Sequence, residues 1–143
     1  MCSMQNRLQT ILQRIHEAAL QSGREPDSVQ LLAVSKTHND AMVQQAIALG
    51  LHRFGENRIQ DIRQRLDHFA DQPAQWIMIG HSQTNKAKDI ARYAAELHSL
   101  DRLALAQTLD HRLQIEQRQL PVLIQVKTAQ EKSKSGVEPA ALF

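Results

Sequence analysis

Apolar positions along the 143-residue chain change their period repeatedly, and each change marks an element. Residues 4–22 place Leu8, Ile11, Leu12, Ile15, Ala18 and Ala19 at helical spacing, with Gln, Arg and Glu between them, which predicts an amphipathic helix. Gly23 is a natural stop, and Pro26 blocks continuation. "VQLLAVS" at 29–35 is nearly continuous in apolar character, which suits a parallel strand buried on both faces. Asn39 or Asp40 can cap the helix that follows, whose Val43, Ala46 and Ile47 share a face.

The alternation then repeats. "LHRFG" at 51–55 is a short strand candidate, and Asn57 stands where it can cap a helix carrying Ile59, Ile62, Leu66 and Phe69. "QWIMIG" at 75–80 reads as a strand and "TNKAKDIARYAA" at 84–95 as a helix. "LHSL" at 97–100 is a weaker strand, followed by a helix with Leu103, Ala106, Leu109 and Leu113. "LPVLIQVKT" at 120–128 is the fifth and clearest strand, and "EPAALF" at 138–143 resembles a helix start. Strand–helix alternation of this kind predicts a parallel α/β architecture with right-handed crossovers, without a break into two domains. An open doubly wound sheet and part of a (β/α)8 barrel both satisfy it. In either, ligands sit at the C-terminal ends of the strands.

Composition narrows the function classes. Apolar residues are 42% of the chain and charged residues 22%, the balance of a soluble globular protein rather than a disordered one. With aromatics at 3%, there is little material for a nucleic-acid stacking platform, and a net charge of +2 does not point to a polyanion. The single cysteine, Cys2, can form neither an internal disulfide nor a zinc site, which fits a reducing, cytoplasmic setting. Arg7 and Arg14 interrupt the N-terminal apolar run, so it reads as neither signal peptide nor membrane span. Seven scattered histidines offer no metal-ligand spacing, and no G-x-S-x-G accompanies them, so neither a metal centre nor Ser-His-Asp chemistry is expected.

Candidate chemistry collects where the strands end: Ser35-Lys36, "FGEN", "IGHSQTNK", "SLDR" and "QVKTAQEKSKSG". Lys36, within "LLAVSKTHND", sits where an apolar run meets a turn. A stem packed among apolar strands would be partly desolvated, favouring a neutral amine able to attack an aldehyde. Alternatively the ammonium reaches water, and these ten residues leave both readings open. Asn57 is either a ligand donor or a helix cap. Lys86 and Lys88 suit an anion or a solvated helix face, and Lys134 in "SKSG" lacks the spacing of a nucleotide phosphate loop.

Taken as a series, "LLAVSK" (31–36), "RFGEN" (53–57), "IG" with "Q-x-N-K" (79–86), "LDRL" (100–103) and "VLIQV" with "SKSG" (122–136) resemble the pyridoxal phosphate homeostasis family, whose fold is like the alanine racemase N-terminal barrel. The resemblance implies a single domain over residues 1–143: a partial (β/α)8 TIM-like barrel of about five βα units of eight, with an N-terminal helix. It implies that Lys36 holds pyridoxal 5′-phosphate as a Schiff base, with Asn57 near the cofactor and Lys134 at a secondary site. No catalytic reaction is implied. The function would be intracellular homeostasis of this cofactor, with apo enzymes that use it as candidate recipients. The alternatives are an amino-acid racemase using the same cofactor and a cofactor-free phosphate-binding module. The chain departs from the family pattern at Ile77, Met78, His81 and Ser82, at His38, and at Lys127. It is also short of the roughly 200 residues that a full barrel needs. The expectation is therefore a truncated product, lacking the late-strand phosphate grip and with strand five as an open edge.

Overall fold

Five short strands, β1 (Ala33–Val34), β2 (Arg53–Glu56), β3 (Gln75–Met78), β4 (Glu96–Leu100) and β5 (Val122–Ile124), form one parallel sheet in their chain order. They come from a computed structural model that describes residues 3–142. Helix α1 (Met4–Gln21) precedes the sheet, and α2 (Asp40–Ala48), α3 (Ile59–His68), α4 (Ala87–Tyr93) and α5 (Leu103–Glu116) connect successive strands. Sequential order decides between the two architectures left open by the sequence. Right-handed crossovers that always step the same way put every connecting helix on one face. A doubly wound sheet reverses direction and covers both faces. This sheet is therefore four βα units and a fifth strand of a TIM-like barrel.

The core lies between that one face and the helices. Phe54, Trp76, Met78 and Leu97 from the strands are buried with Val43 of α2, Ile59 and Ile62 of α3, Ile90 of α4 and Leu105 and Leu109 of α5. Three aromatic rings gather there, with Trp76 5.1 Å from Phe54 and 5.6 Å from Phe69. Because side chains alternate along a strand, Arg53, Gly55, Ile77, Glu96 and His98 fall on the opposite, inner face. There Arg53 donates two hydrogen bonds to Glu96, of 2.6 and 2.9 Å, and His98 lies 2.8 Å from the same carboxylate.

The strand edges differ most from expectation. The sequence run 29–35 yields a strand of two residues, and the run 120–128 a strand of three with Val126 in an isolated bridge to Val137, while the weak "LHSL" belongs to the longest strand. Among the described residues β1 and β5 stand at the two ends of the sheet order, and these are the strands whose apolar runs exceed their paired lengths. Val122, Leu123 and Ile124 of β5 are exposed. The edge is closed only at its far end, where the Lys127 N–H donates to the Val137 carbonyl (2.9 Å) and Val137 donates to Gln125 (2.8 Å). α1 buries Leu8 and Ala19 but leaves Ile11 and Leu12 exposed. The terminal helix start is a single turn, Pro139–Ala141. Cys2 and Phe143 lie outside the described residues.

Candidate functional site

The β1 chain turns as soon as it leaves the sheet. Ser35 to His38 form a tight turn closed by the His38 N–H donating to the Ser35 carbonyl at 3.1 Å, with Lys36 and Thr37 at its tip. Thr37 has φ of 65°, the left-handed region that glycine and asparagine usually occupy at this place in a turn. A β-branched residue there is strained. Asn39 then caps α2, its side chain accepting from the Met42 N–H at 2.9 Å.

Lys36 is exposed. Of the two readings the sequence leaves open, this is the one in which the ammonium reaches water rather than the stem packing among apolar strands. β1 ends two residues earlier, and Val34 at its end is itself exposed. The amine forms no ion pair among the described residues.

Asn57 is not a helix cap. α3 starts at Ile59 with Arg58 in the capping position, and no side chain caps it. Arg58 instead pairs with Asp61 through bonds of 3.1 and 2.9 Å. The Asn57 side chain is half-buried and has no hydrogen-bond partner among the described residues. Lys36 and Asn57 line the same cleft, of about 610 Å³, together with His38, Asp40, Arg58 and Arg65.

Beneath this cleft lies a charged cluster the sequence reading missed. Glu56, the last residue of β2, has a side chain only 1% exposed, and Arg65 of α3 one 10% exposed. Arg65 Nε donates to Glu56 at 3.0 Å, and Ser35 Oγ donates to the same oxygen at 2.7 Å. One arm of the guanidinium pairs with Asp40, and the other donates to the backbone carbonyls of Ser35 (3.2 Å) and His38 (2.6 Å). A signal was present: Arg65 follows Ile59 and Ile62 at a spacing of three, on the buried face of α3, and Glu56 shares the core face with Phe54.

Gly80, just past β3, meets Asn57 from the other side. A Cβ on Gly80 would lie 2.1 Å from the Asn57 carbonyl oxygen, so only glycine fits. The Gly80 carbonyl accepts from the buried Ser99 (2.6 Å) and Ser82 (3.3 Å), and Arg102 donates to the Ser82 carbonyl at 2.7 Å. These contacts fix the support on which Asn57 rests.

Lys134 is not brought to Lys36. It lines a separate cleft of about 340 Å³ with His81, Gln125, Lys127 and Ser135, and pairs with Glu131 at 3.2 Å. A small cleft holding Asn57, His81 and Lys86 lies between the two. Near Lys134, Ser135 Oγ and Asp101 both approach Nδ1 of His81, at 3.3 and 3.6 Å. A hydrolytic relay needs them on opposite ring nitrogens, so this grouping is no triad. Among the described residues no helix is long and apolar enough to cross a membrane.

No family model matches the chain. It is 41% identical over 142 residues to the pyridoxal phosphate homeostasis protein of Pseudomonas aeruginosa, covering 99% of this chain and 62% of that one. To the protein of the same name in Vibrio alginolyticus it is 40% identical, covering 100% and 63%. Among solved structures, PipY of Synechococcus elongatus with pyridoxal phosphate bound superposes with a TM-score of 0.75 at 36% identity, over 88% of this chain and 59% of that one. PipY without the cofactor gives 0.76 at 37% identity, over 87% and 58%. From end to end the chain is thus similar to the pyridoxal phosphate homeostasis proteins, and it spans less than two thirds of the length of these relatives.

Proposed function

We propose that this chain, a relative in sequence and fold of the pyridoxal phosphate homeostasis proteins, binds pyridoxal 5′-phosphate through Lys36 and serves cofactor homeostasis inside the cell without turning over a substrate. The observation that carries this reading is that Lys36 and Asn57, both free of other side-chain partners among the described residues, line one cleft at the C-terminal rim of the sheet. Residues 1–143 are read as an alanine racemase N-terminal-like domain.

The residues present fit the cofactor. It supplies an aldehyde, with which a primary amine condenses, losing water, to hold it covalently. Lys36 offers an amine on a turn that leaves it open to approach. Asn57 offers an uncommitted amide donor and acceptor, held in place from below by Gly80. The cleft is large enough for a ligand of this size. Lys134, in its own cleft, is suited to a weaker, secondary contact with the cofactor.

Carriage rather than catalysis is the reading favoured by the relatives, which are named homeostasis proteins. Tyr93, of the residue type a racemase commonly sets opposite its lysine, stands at the end of α4 with Arg63 over its ring at 5.1 Å and is not among the residues lining the Lys36 cleft. Apo enzymes that require the cofactor are the natural recipients.

The test is the absorbance of the protein mixed with pyridoxal phosphate. A new absorbance band, distinct from that of free pyridoxal phosphate, is expected for the native chain and not for Lys36→Ala. Survival of the band in Lys36→Ala, or racemisation of alanine that depends on Lys36, would overturn the reading.

A further inference from the structure

We infer that Arg65 is a positioning residue: it clamps the turn that presents Lys36, and sets the cofactor affinity through that turn. This rests on the reading of Lys36 given above, but the geometry is its own.

One guanidinium arm, Nη2, takes the Ser35 carbonyl at 3.2 Å and the His38 carbonyl at 2.6 Å. Those carbonyls flank Lys36 and Thr37, so a single rigid group pins both ends of a two-residue tip. The other arm pairs with Asp40, the first residue of α2, and Nε holds Glu56, the residue before Asn57. Arg65 therefore joins the segment bearing Lys36 to the segment bearing Asn57, across the boundary between β1 and β2.

Two features argue that the clamp is for geometry rather than stability. A buried ion pair gains little net stability, because desolvating two charges offsets their attraction. Glu56 and Arg65 are nonetheless buried, with side-chain exposures of 1% and 10%. Moreover, the turn they hold is one the sequence disfavours. Thr37 at φ 65° is costly, and strain of this kind persists only where surrounding contacts over-determine it. A planar fork is what the task needs. A lysine at position 65 could still face Glu56, but one ammonium cannot span two carbonyls and two carboxylates.

Amide hydrogen exchange and cofactor titration together test this. In the native protein, the His38 amide is expected to exchange as slowly as amides of β2, although it lies in an exposed turn. Exchange at free-loop rates would overturn the clamp without any variant. In Arg65→Lys, the His38 amide should lose protection while amides of β2 and β3 keep theirs. The apparent dissociation constant for pyridoxal phosphate, read from the adduct absorbance, should then rise about tenfold or more. An Arg65→Lys protein with unchanged His38 protection and unchanged affinity would sink the inference. Lys36→Ala, run in parallel, separates the two failures. An adduct that survives it removes Lys36 from the site, whereas an adduct lost in Lys36→Ala but unaffected in Arg65→Lys removes only the clamp.

Discussion

Gly80 and Asn57 touch through their backbones: a Cβ on Gly80 would sit 2.1 Å from the Asn57 carbonyl oxygen and 2.7 Å from its Cα. The obstacle is main chain, which cannot swing aside as a side-chain tip would. Gly80→Ala should therefore displace Asn57 and the start of α3, with a loss of stability of about 1–3 kcal/mol. Cofactor binding should weaken too, although Lys36 is intact. Thermal unfolding and the adduct absorbance would both report it.

Asn57 itself separates two roles. As a helix cap, its loss would cost about 1 kcal/mol. Since Arg58 occupies the capping position, Asn57→Ala should change stability by less than about 0.5 kcal/mol while weakening cofactor binding several-fold. Urea unfolding set beside a cofactor titration distinguishes the two.

Thr37→Gly acts in the opposite sense. Removing the left-handed penalty should stabilise the protein by about 0.5–1 kcal/mol, after allowing for glycine's greater freedom in the unfolded chain. A loss of stability in urea unfolding would show that φ 65° at this position is not strained.

The inner-face pair gives a pH dependence. The hydrogen bond from Arg53 holds the Glu96 carboxyl below its ordinary value of 4.5, against burial, with His98 adding to the effect. Since the folded-state value lies below the unfolded one, this stabilisation is fully present above the unfolded value and fades as the pH falls through the folded one. Glu96→Gln should thus lower stability at neutral pH by about 1–2 kcal/mol, and the gap from native should close toward pH 3. Urea unfolding across that range measures it.

What the sequence made legible follows from what periodicity encodes. The alternation of strand and helix, the core positions Val43, Ile59, Ile62 and Leu109, and the placing of Lys36 and Asn57 at strand ends were all readable. Strand extents were not, because an apolar run reads the same whether or not all of it is paired, and only the pairing of β1 and β5 among the described residues sets their lengths. The Arg65 cluster was hidden for a different reason. Spacing placed Arg65 and Glu56 on buried faces, but no local rule links them to Ser35, His38 and Asp40, which only the packing of β1 beside β2 brings to them. Asn57 misled in the reverse direction, since a residue two places before a helix carries the same signal as its cap.

The most direct test of Lys36 as the cofactor-binding residue is chemical mapping. The protein is mixed with pyridoxal 5′-phosphate, reduced with borohydride to make the linkage permanent, digested and mapped by mass. The modification should be found on Lys36. A label on Lys134, Lys86 or Lys88 with Lys36 unmodified would contradict it.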